Sequence, residues 1–274
     1  MPLFFCHRGG ILKATQRILL GAMARNIPHS RTGKRTVIVP GFDPQTQPIV
    51  PLSDILLPLN NAAIQLDFIR EAFSTPVDWQ VEPVFTESFQ ADSLDLIDIV
   101  QAAVFVPLVQ RPEGLHLLFT RRASHLYDHA GQICFPGGRI EVSDRDAVDA
   151  ALRETREEIG VAPEYIQLLG TQPGFLTSTR FTMKPVIGYV RPGFTIRPDL
   201  TEVAEVFEVP LSFLMDPSHH FLHRANLPDG GHRFYFSMPW KDYFIWGATA
   251  ALIRNFYHFL SAAQTKLESR VVGT

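Results

Sequence analysis

Apolar residues recur along this chain in two rhythms, and the rhythm changes near Gln101. Upstream, Ile64, Leu66, Phe68, Ile69 and Phe73 sit at helical spacing. They predict an amphipathic helix over Ala62–Phe73 that stops before Pro76. Pro40, Pro44, Pro48, Pro51 and Pro58 cut 36–60 into short apolar pieces, which read as a linker that packs only locally. Asp78–Asp98 is irregular and acidic. From Gln101 the texture becomes strand-like. Ala102–Val109 and Leu115–Thr120, separated by Arg111-Pro112-Glu113-Gly114, read as a hairpin. Further strand pieces are expected at Ile166–Gly170, Met183–Val190, Val203–Val209 and Arg233–Ser237. Helices are expected at Asp146–Ile159, with a stripe of Ala147, Val148, Ala151, Leu152 and Thr155, and at Gly247–Leu260. Gly160 is the stop signal of the first. Strands interleaved with two helices, without a repeating βαβ period, predict an α+β fold or an α/β/α sandwich. The expected organisation is an N-terminal extension over 1–60, a helical lead-in over 61–100 and one folded domain over 101–265.

Composition narrows this little. With 46% hydrophobic and 19% charged residues in 274, the chain is of ordinary globular texture. A formal net charge of −3 gives no overall footprint for nucleic acid, and no apolar run approaches the ~20 residues of a membrane helix. Cys6 and Cys134 are the only cysteines and lie far apart, which argues against a disulfide framework or a cysteine-based zinc site. The first acidic residue is Asp43, after Arg8, Lys13, Arg17, Arg25, Arg31, Lys34 and Arg35. This basic stretch, with helical spacing near Ile11–Ala24, is read as a tail or a start placed too early, rather than a targeting peptide, because no clear cleavage site follows.

Charge placement matters more than charge total. Glu154, Glu157 and Glu158 stand at i, i+3 and i+4, which brings three carboxylates together on one side of a helix. Like charges so placed repel, and the negative C-terminal end of a helix offers them nothing. A divalent cation would reverse that balance, because hard Mg²⁺ takes oxygen ligands and shares them with substrate phosphates. Alone, the cluster is no more than a solvated acidic face with Arg153 and Arg156 as partners. Gly137 and Gly138 change its weight, since residues lacking Cβ let backbone approach a metal or phosphate at the mouth of the same helix.

The segment from Gly138 through Asp144, Arg153, Glu154, Glu157 and Glu158 to Gly160 resembles the Nudix box. It departs in having Asp144 as the first acid and eight residues between it and Arg153, where the family pattern has Glu and seven. Upstream, Thr120, Arg122, Ala123, Gly131 and Phe135-Pro136-Gly137-Gly138 are similar to the extra motif of coenzyme A diphosphatases within that superfamily. There Tyr127 replaces the motif's second Arg, and Phe119 replaces a Leu. Glu202–Leu211 and Tyr243–Ala250 resemble the C-terminal part of the same group, so the likeness spans roughly Gln101 to Leu260.

The resemblance implies a Nudix α/β/α sandwich with a mixed sheet and a catalytic loop–helix. It implies Mg²⁺ or Mn²⁺ held by Glu154 and Glu158, then Glu157, with the Gly137 carbonyl as a further ligand, and Glu157 or Glu202 as base. Arg153 is expected to brace the glutamates. Arg122 and Arg121, with Gly138, are the substrate-side candidates, because guanidinium suits phosphate, although surface charge is the usual fate of Arg. The implied reaction is hydrolysis of the diphosphate of coenzyme A or its thioesters to 4′-phosphopantetheine and adenosine 3′,5′-bisphosphate. Nucleic acid and membrane are not expected partners, a homodimer is compatible, and the expected setting is cytoplasmic. Two alternatives stay open: another nucleoside diphosphate derivative such as ADP-ribose, and a non-catalytic nucleotide-binding module. His125 and His129 are expected to be loop and packing residues, His219, His220 and His223 to lie in a loop, Cys134 to pack, and Tyr243, Phe244 and Trp246 to bury the terminal strand.

Overall fold

The computed structural model describes residues 42–52, 55–82, 99–126, 129–177, 181–227 and 230–272. The basic N-terminal stretch, Cys6, the segment 83–98 and Tyr127 lie outside them. In chain order the elements are β1 (Ile49–Val50), α1 (Leu66–Ser74), β2 (Val100–Arg111), β3 (Gly114–Arg122), β4 (Ile133–Cys134), β5 (Gly137–Arg139) and α2 (Ala147–Ile159). Then come β6 (Ile166–Thr171), β7 (Phe175–Leu176), β8 (Phe181–Val190), β9 (Val203–Pro210), α3 (Leu211–Leu214), β10 (Phe221–Asn226), β11 (His232–Trp240), β12 (Tyr243–Trp246) and α4 (Gly247–Val272).

The expected hairpin forms β2 and β3. β2 also runs parallel to β8, from Val100 opposite Phe181 to Val109 opposite Val190. With β4, β5, β6, β7 and β9 these strands make an eight-stranded mixed sheet. Both of its faces are covered, which explains why Ala102–Val109 is buried throughout rather than in alternation. Ala103, Phe105 and Val109 meet Ala150, Ala151 and Ile159 of α2 on one face. Val104, Val106 and Leu108 belong to the core on the other face, which includes Ile253, Phe256 and Leu260 of α4 and Ile69 and Ala72 of α1. The α+β sandwich expected from the sequence is the architecture observed.

A second sheet, β1-β10-β11-β12, is antiparallel throughout. Its Leu222, Phe236, Met238 and Ile245 join the α4-side core. Two expectations change here. The described part of the proline-rich stretch does more than pack locally: β1 pairs with β10, and the Pro44 and Leu57 carbonyls accept from the Tyr235 and Tyr257 hydroxyls. The three histidines are not all in a loop: His223 lies on β10, buried, with Nδ1 on the Gln47 carbonyl and Nε2 on the Ser237 hydroxyl. At the ends, α1 starts at Leu66, because Asn60 organises the preceding residues into a turn through the Ala63 N–H. Helix α4 runs past Leu260, since no glycine or proline interrupts it before Gly273. Among the described residues no helix is long and apolar enough to cross a membrane.

Candidate active site

Helix α2 carries the site, and its local sequence fixes both ends. Asp146 caps it by accepting from the Asp149 N–H at 2.9 Å. Gly160 ends it in the left-handed conformation, φ 73°. After that stop, the Arg197 and Asp199 N–H groups take the Ile159 and Glu158 carbonyls, which brings the 197–202 turn alongside the glutamates.

The three glutamates are not equivalent. Successive helical residues are about 100° apart, so Glu154 and Glu158 share a flank while Glu157 swings outward. The Glu158 residue is 4% exposed, whereas the Glu154 and Glu157 side chains are 17% and 59% exposed. Oε2 of Glu158 accepts from the Gly137 N–H at 3.2 Å. The Glu154 carboxylate lies directly against Gly138: a Cβ there would stand 2.3 Å from Oε1. Gly138 is therefore a fit to Glu154, and any side chain would displace the carboxylate.

Burial pushes the Glu158 carboxyl up to about 8; the neighbouring Glu154 and Glu202 add to the rise, and the Gly137 N–H and Arg122 oppose it. Burial also raises Glu154, against the hydrogen bond from Arg153. Two carboxylates that resist ionising side by side are the charge pattern a divalent cation relieves. Among the described residues no three acidic, histidine or cysteine side chains form a ready-made cage. The donor set is nonetheless suited to Mg²⁺ or Mn²⁺, which are commonly held by one or two carboxylates with waters and substrate phosphates completing the shell.

Arg153 organises the outer side. It donates to Glu154 Oε1 at 2.9 Å, to Glu157 Oε2 at 3.0 Å and to the Arg139 carbonyl at 3.1 Å. It also donates twice to Asp144, at 2.9 Å each. Asp144 lies in the loop that leads into α2, and its Oδ2 also accepts from the Glu141 N–H at 2.8 Å. The backbone groups of Arg139 and Glu141 are parts of this arrangement that no side-chain motif announces.

The two arginines of β3 divide. The β3 register shifts between them, and Arg122 acts on Glu158, its Nε buried and without a hydrogen-bond partner among the described residues. Arg121 pairs with Glu205 at 2.7 Å, and Glu205 also accepts from the Tyr243 hydroxyl. Tyr243 stacks on Phe207, with ring centroids 3.7 Å apart, which is the strand-burying role expected for it. Glu202 is exposed, close enough to raise both Glu154 and Glu158, and its carbonyl accepts from the Ala123 N–H. Cys134 contacts the Thr120 hydroxyl at 3.2 Å, and burial pushes its thiol up to about 11, so it packs as a neutral group.

A family model described as "NUDIX domain" matches residues 100–226. An uncharacterized Nudix hydrolase NudL of Enterobacter sp. (strain 638) is 40% identical over 164 residues, which cover 60% of this chain and 84% of that protein. Its Salmonella paratyphi B namesake is 38% identical over 155 residues, covering 57% and 80%. A solved MutT/nudix family protein from Enterococcus faecalis aligns over 72% of this chain and 75% of its own, at 15% identity and a TM-score of 0.37.

Proposed function

Because this chain belongs to the Nudix hydrolases, enzymes that generally use divalent metal ions to cleave nucleoside diphosphate derivatives, we propose that its substrate is coenzyme A or an acyl-CoA. The products are then 4′-phosphopantetheine and adenosine 3′,5′-bisphosphate. The observation that carries this reading is the positive charge of Arg122, which acts on Glu158. The motif of Thr120, Arg122, Ala123, Gly131 and Phe135–Gly138 resembles that of coenzyme A diphosphatases, and its guanidinium would meet a diphosphate spanning the carboxylates. Guanidinium matches phosphate oxygens with two parallel donors. Arg121 is already engaged by Glu205, so Arg122 is the arginine assigned to substrate.

Glu154 and Glu158 would hold Mg²⁺ or Mn²⁺, with Glu157 at the outer edge and the Gly137 carbonyl as a backbone ligand. When bound, the metal supplies charge neutralisation for the diphosphate and lowers the pKa of water. The chain's own residues do the rest. Arg153 holds Glu154 and Glu157 in register with the loop. Gly138, expected on the substrate side, instead leaves room for the Glu154 carboxylate, which fills the place of its missing side chain. Glu157 or Glu202 takes the proton of the attacking water; both are exposed.

The test is hydrolysis by the purified protein with Mg²⁺ or Mn²⁺ of coenzyme A, acetyl-CoA, ADP-ribose and NADH. Coenzyme A or acetyl-CoA should be cleaved with the highest kcat/KM. Cleavage of ADP-ribose but not coenzyme A would overturn the substrate assignment and leave the metal-site assignment standing.

A further inference from the structure

We propose that Thr249, in the first turn of α4, is a positioning residue for the catalytic loop, acting through a single hydrogen bond to the Ile133 carbonyl. The proposal rests on the metal-site reading above and adds to it a residue outside 100–226, the stretch that carries the family match.

The loop entering the site, Ile133 to Gly137, is held by few bonds. β4 is only two residues long and pairs on one side, with Thr120 and Arg121 of β3. One-sided antiparallel pairing turns alternate carbonyls away from the partner strand. The Ile133 carbonyl is taken from the other side by Thr249 Oγ1 at 2.9 Å. The Cys134 carbonyl accepts from the Thr120 hydroxyl at 3.3 Å, and the Pro136 carbonyl from the Phe105 N–H at 2.8 Å. Pro136 has no N–H to give. The next residue, Gly137, donates to Glu158 at 3.2 Å. Thr249 is 7% exposed, so the carbonyl it satisfies has little access to water in its place, and losing the donor would leave a buried acceptor unpaired. The cheapest relief is a shift of β4 towards water, four residues upstream of the Gly137–Glu158 contact. Phe135, stacked on Phe119 with centroids 4.7 Å apart, would pass that shift on rather than absorb it, because stacked buried rings have no slack.

The hydroxyl, not the shape, is what matters in this account. Thr249→Val keeps the volume and removes the donor, Thr249→Ser keeps the donor, and Thr249→Ala removes both the donor and bulk. Tyr257→Phe is the control: it removes a hydrogen bond from the same helix, to the Leu57 carbonyl, without touching β4. The readouts are Mn²⁺ affinity of the substrate-free protein by electron paramagnetic resonance, hydrogen exchange of the 133–139 backbone, and thermal melting. Thr249→Val and Thr249→Ala should weaken Mn²⁺ binding by about tenfold, the lower end for residues that orient metal ligands, and should speed exchange at Gly137. Thr249→Ser should stay within about twofold of wild type, and Tyr257→Phe should melt earlier with unchanged Mn²⁺ affinity. Wild-type affinity in folded Thr249→Val or Thr249→Ala overturns the proposal and leaves the metal site intact. Equal weakening by Tyr257→Phe overturns it as well, by reducing the effect to helix stability. If neither substitution folds, weakened Mn²⁺ binding by Thr249→Ser decides against it. Absence of Mn²⁺ binding by the wild type would instead remove the metal-site reading itself, and this inference with it.

Discussion

Arg153 grips Asp144 with both arms of its fork, Nε to Oδ1 and Nη2 to Oδ2, each at 2.9 Å. The same guanidinium reaches Glu154 and Glu157 through its remaining nitrogen. Asp144 therefore acts on the site at one remove: it fixes the plane of Arg153, and Arg153 fixes the glutamates. Its carboxyl is held below the usual range, first by these Arg153 bonds and then by the Glu141 N–H. Asp144→Asn keeps the shape but offers only one acceptor oxygen, and should lower kcat/KM by about tenfold or more, in the range of residues that orient metal ligands. Arg153→Lys should do at least as much, because an ammonium cannot bind two carboxylate oxygens in a plane. Steady-state kinetics against Mg²⁺ concentration checks both; an Asp144→Asn enzyme with wild-type metal dependence would sink the relay.

Glu158 gives the site a pH signature. Its carboxyl is raised to about 8, above its unfolded value, chiefly by burial. The folded state thus prefers the protonated form. In the metal-free protein this group's contribution to stability is complete below about pH 4.5 and is lost as pH rises through about 8. Glu158→Gln should remove this slope and melt higher than wild type at pH 9 without metal, by several degrees at roughly 2–4 °C per kcal/mol for a chain of this size. It should also abolish metal-dependent hydrolysis. Since ligands must be ionised to bind a cation, Mn²⁺ uptake at pH 7 should release a proton, and less at pH 9. Calorimetry in two buffers of different ionisation enthalpy measures it.

Much of this was legible in the sequence, for local reasons. Helix α2 was legible from its apolar stripe and from Gly160, which acts through its own φ; Asp146, read as its first residue, is its cap. β2 and β8 were marked by apolar runs that only a doubly covered sheet can bury. What was hidden depended on distant partners. The spacing of Glu154, Glu157 and Glu158 brought them to one side of the helix, but which one is buried is decided by Gly137 and Gly138. Arg121 and Arg122 were read as following a strand, yet β3 runs through both, past an irregularity between them. β10 was missed because Leu222-His223-Arg224 breaks the apolar rhythm. His223 is acceptable inside only because Gln47 and Ser237, far away in sequence, satisfy its ring nitrogens.

Arg122 should separate substrate binding from metal binding. Arg122→Ala removes a positive charge that holds Glu158 down. The acid limb of the rate profile, set by ionisation of Glu158, should therefore move to higher pH. Loss of a charge-assisted phosphate contact should raise KM by about tenfold or more, from roughly 1.5–3 kcal/mol for such bonds. Arg122→Lys should keep the acid limb near its wild-type position and recover only part of KM, since the charge remains but the fork is lost. An Arg122→Ala enzyme with unchanged KM for coenzyme A would count against the substrate assignment.

Far from the site, His220 ties the fold to pH in the opposite sense. Arg254 can only donate, so its Nη1, 3.2 Å from His220 Nδ1, makes that nitrogen the acceptor. The proton is then on Nε2, which donates to the Leu214 carbonyl at 2.8 Å. Arg254 is itself paired with buried Glu82 at 2.6 Å, and His258 meets the same carboxylate oxygen at 2.8 Å. A second proton on His220 would set two donors face to face beside a guanidinium. Burial first, with Arg254 and His219 adding and the Leu214 bond and Asp216 opposing, lowers the ring to about 4. Because the folded value lies below the unfolded 6.5, this contribution to stability is complete above pH 6.5 and fades as pH falls towards 4. In the Glu158→Gln background, where the opposing contribution of Glu158 is absent, urea midpoints should drop across that window. His220→Gln, whose amide oxygen can still accept from Arg254, should start from a lower midpoint and show a flatter slope between pH 6.5 and 4.5, the part of the window above the carboxylate range. A slope there as steep as wild type would mean that another group, not His220, carries the acid sensitivity.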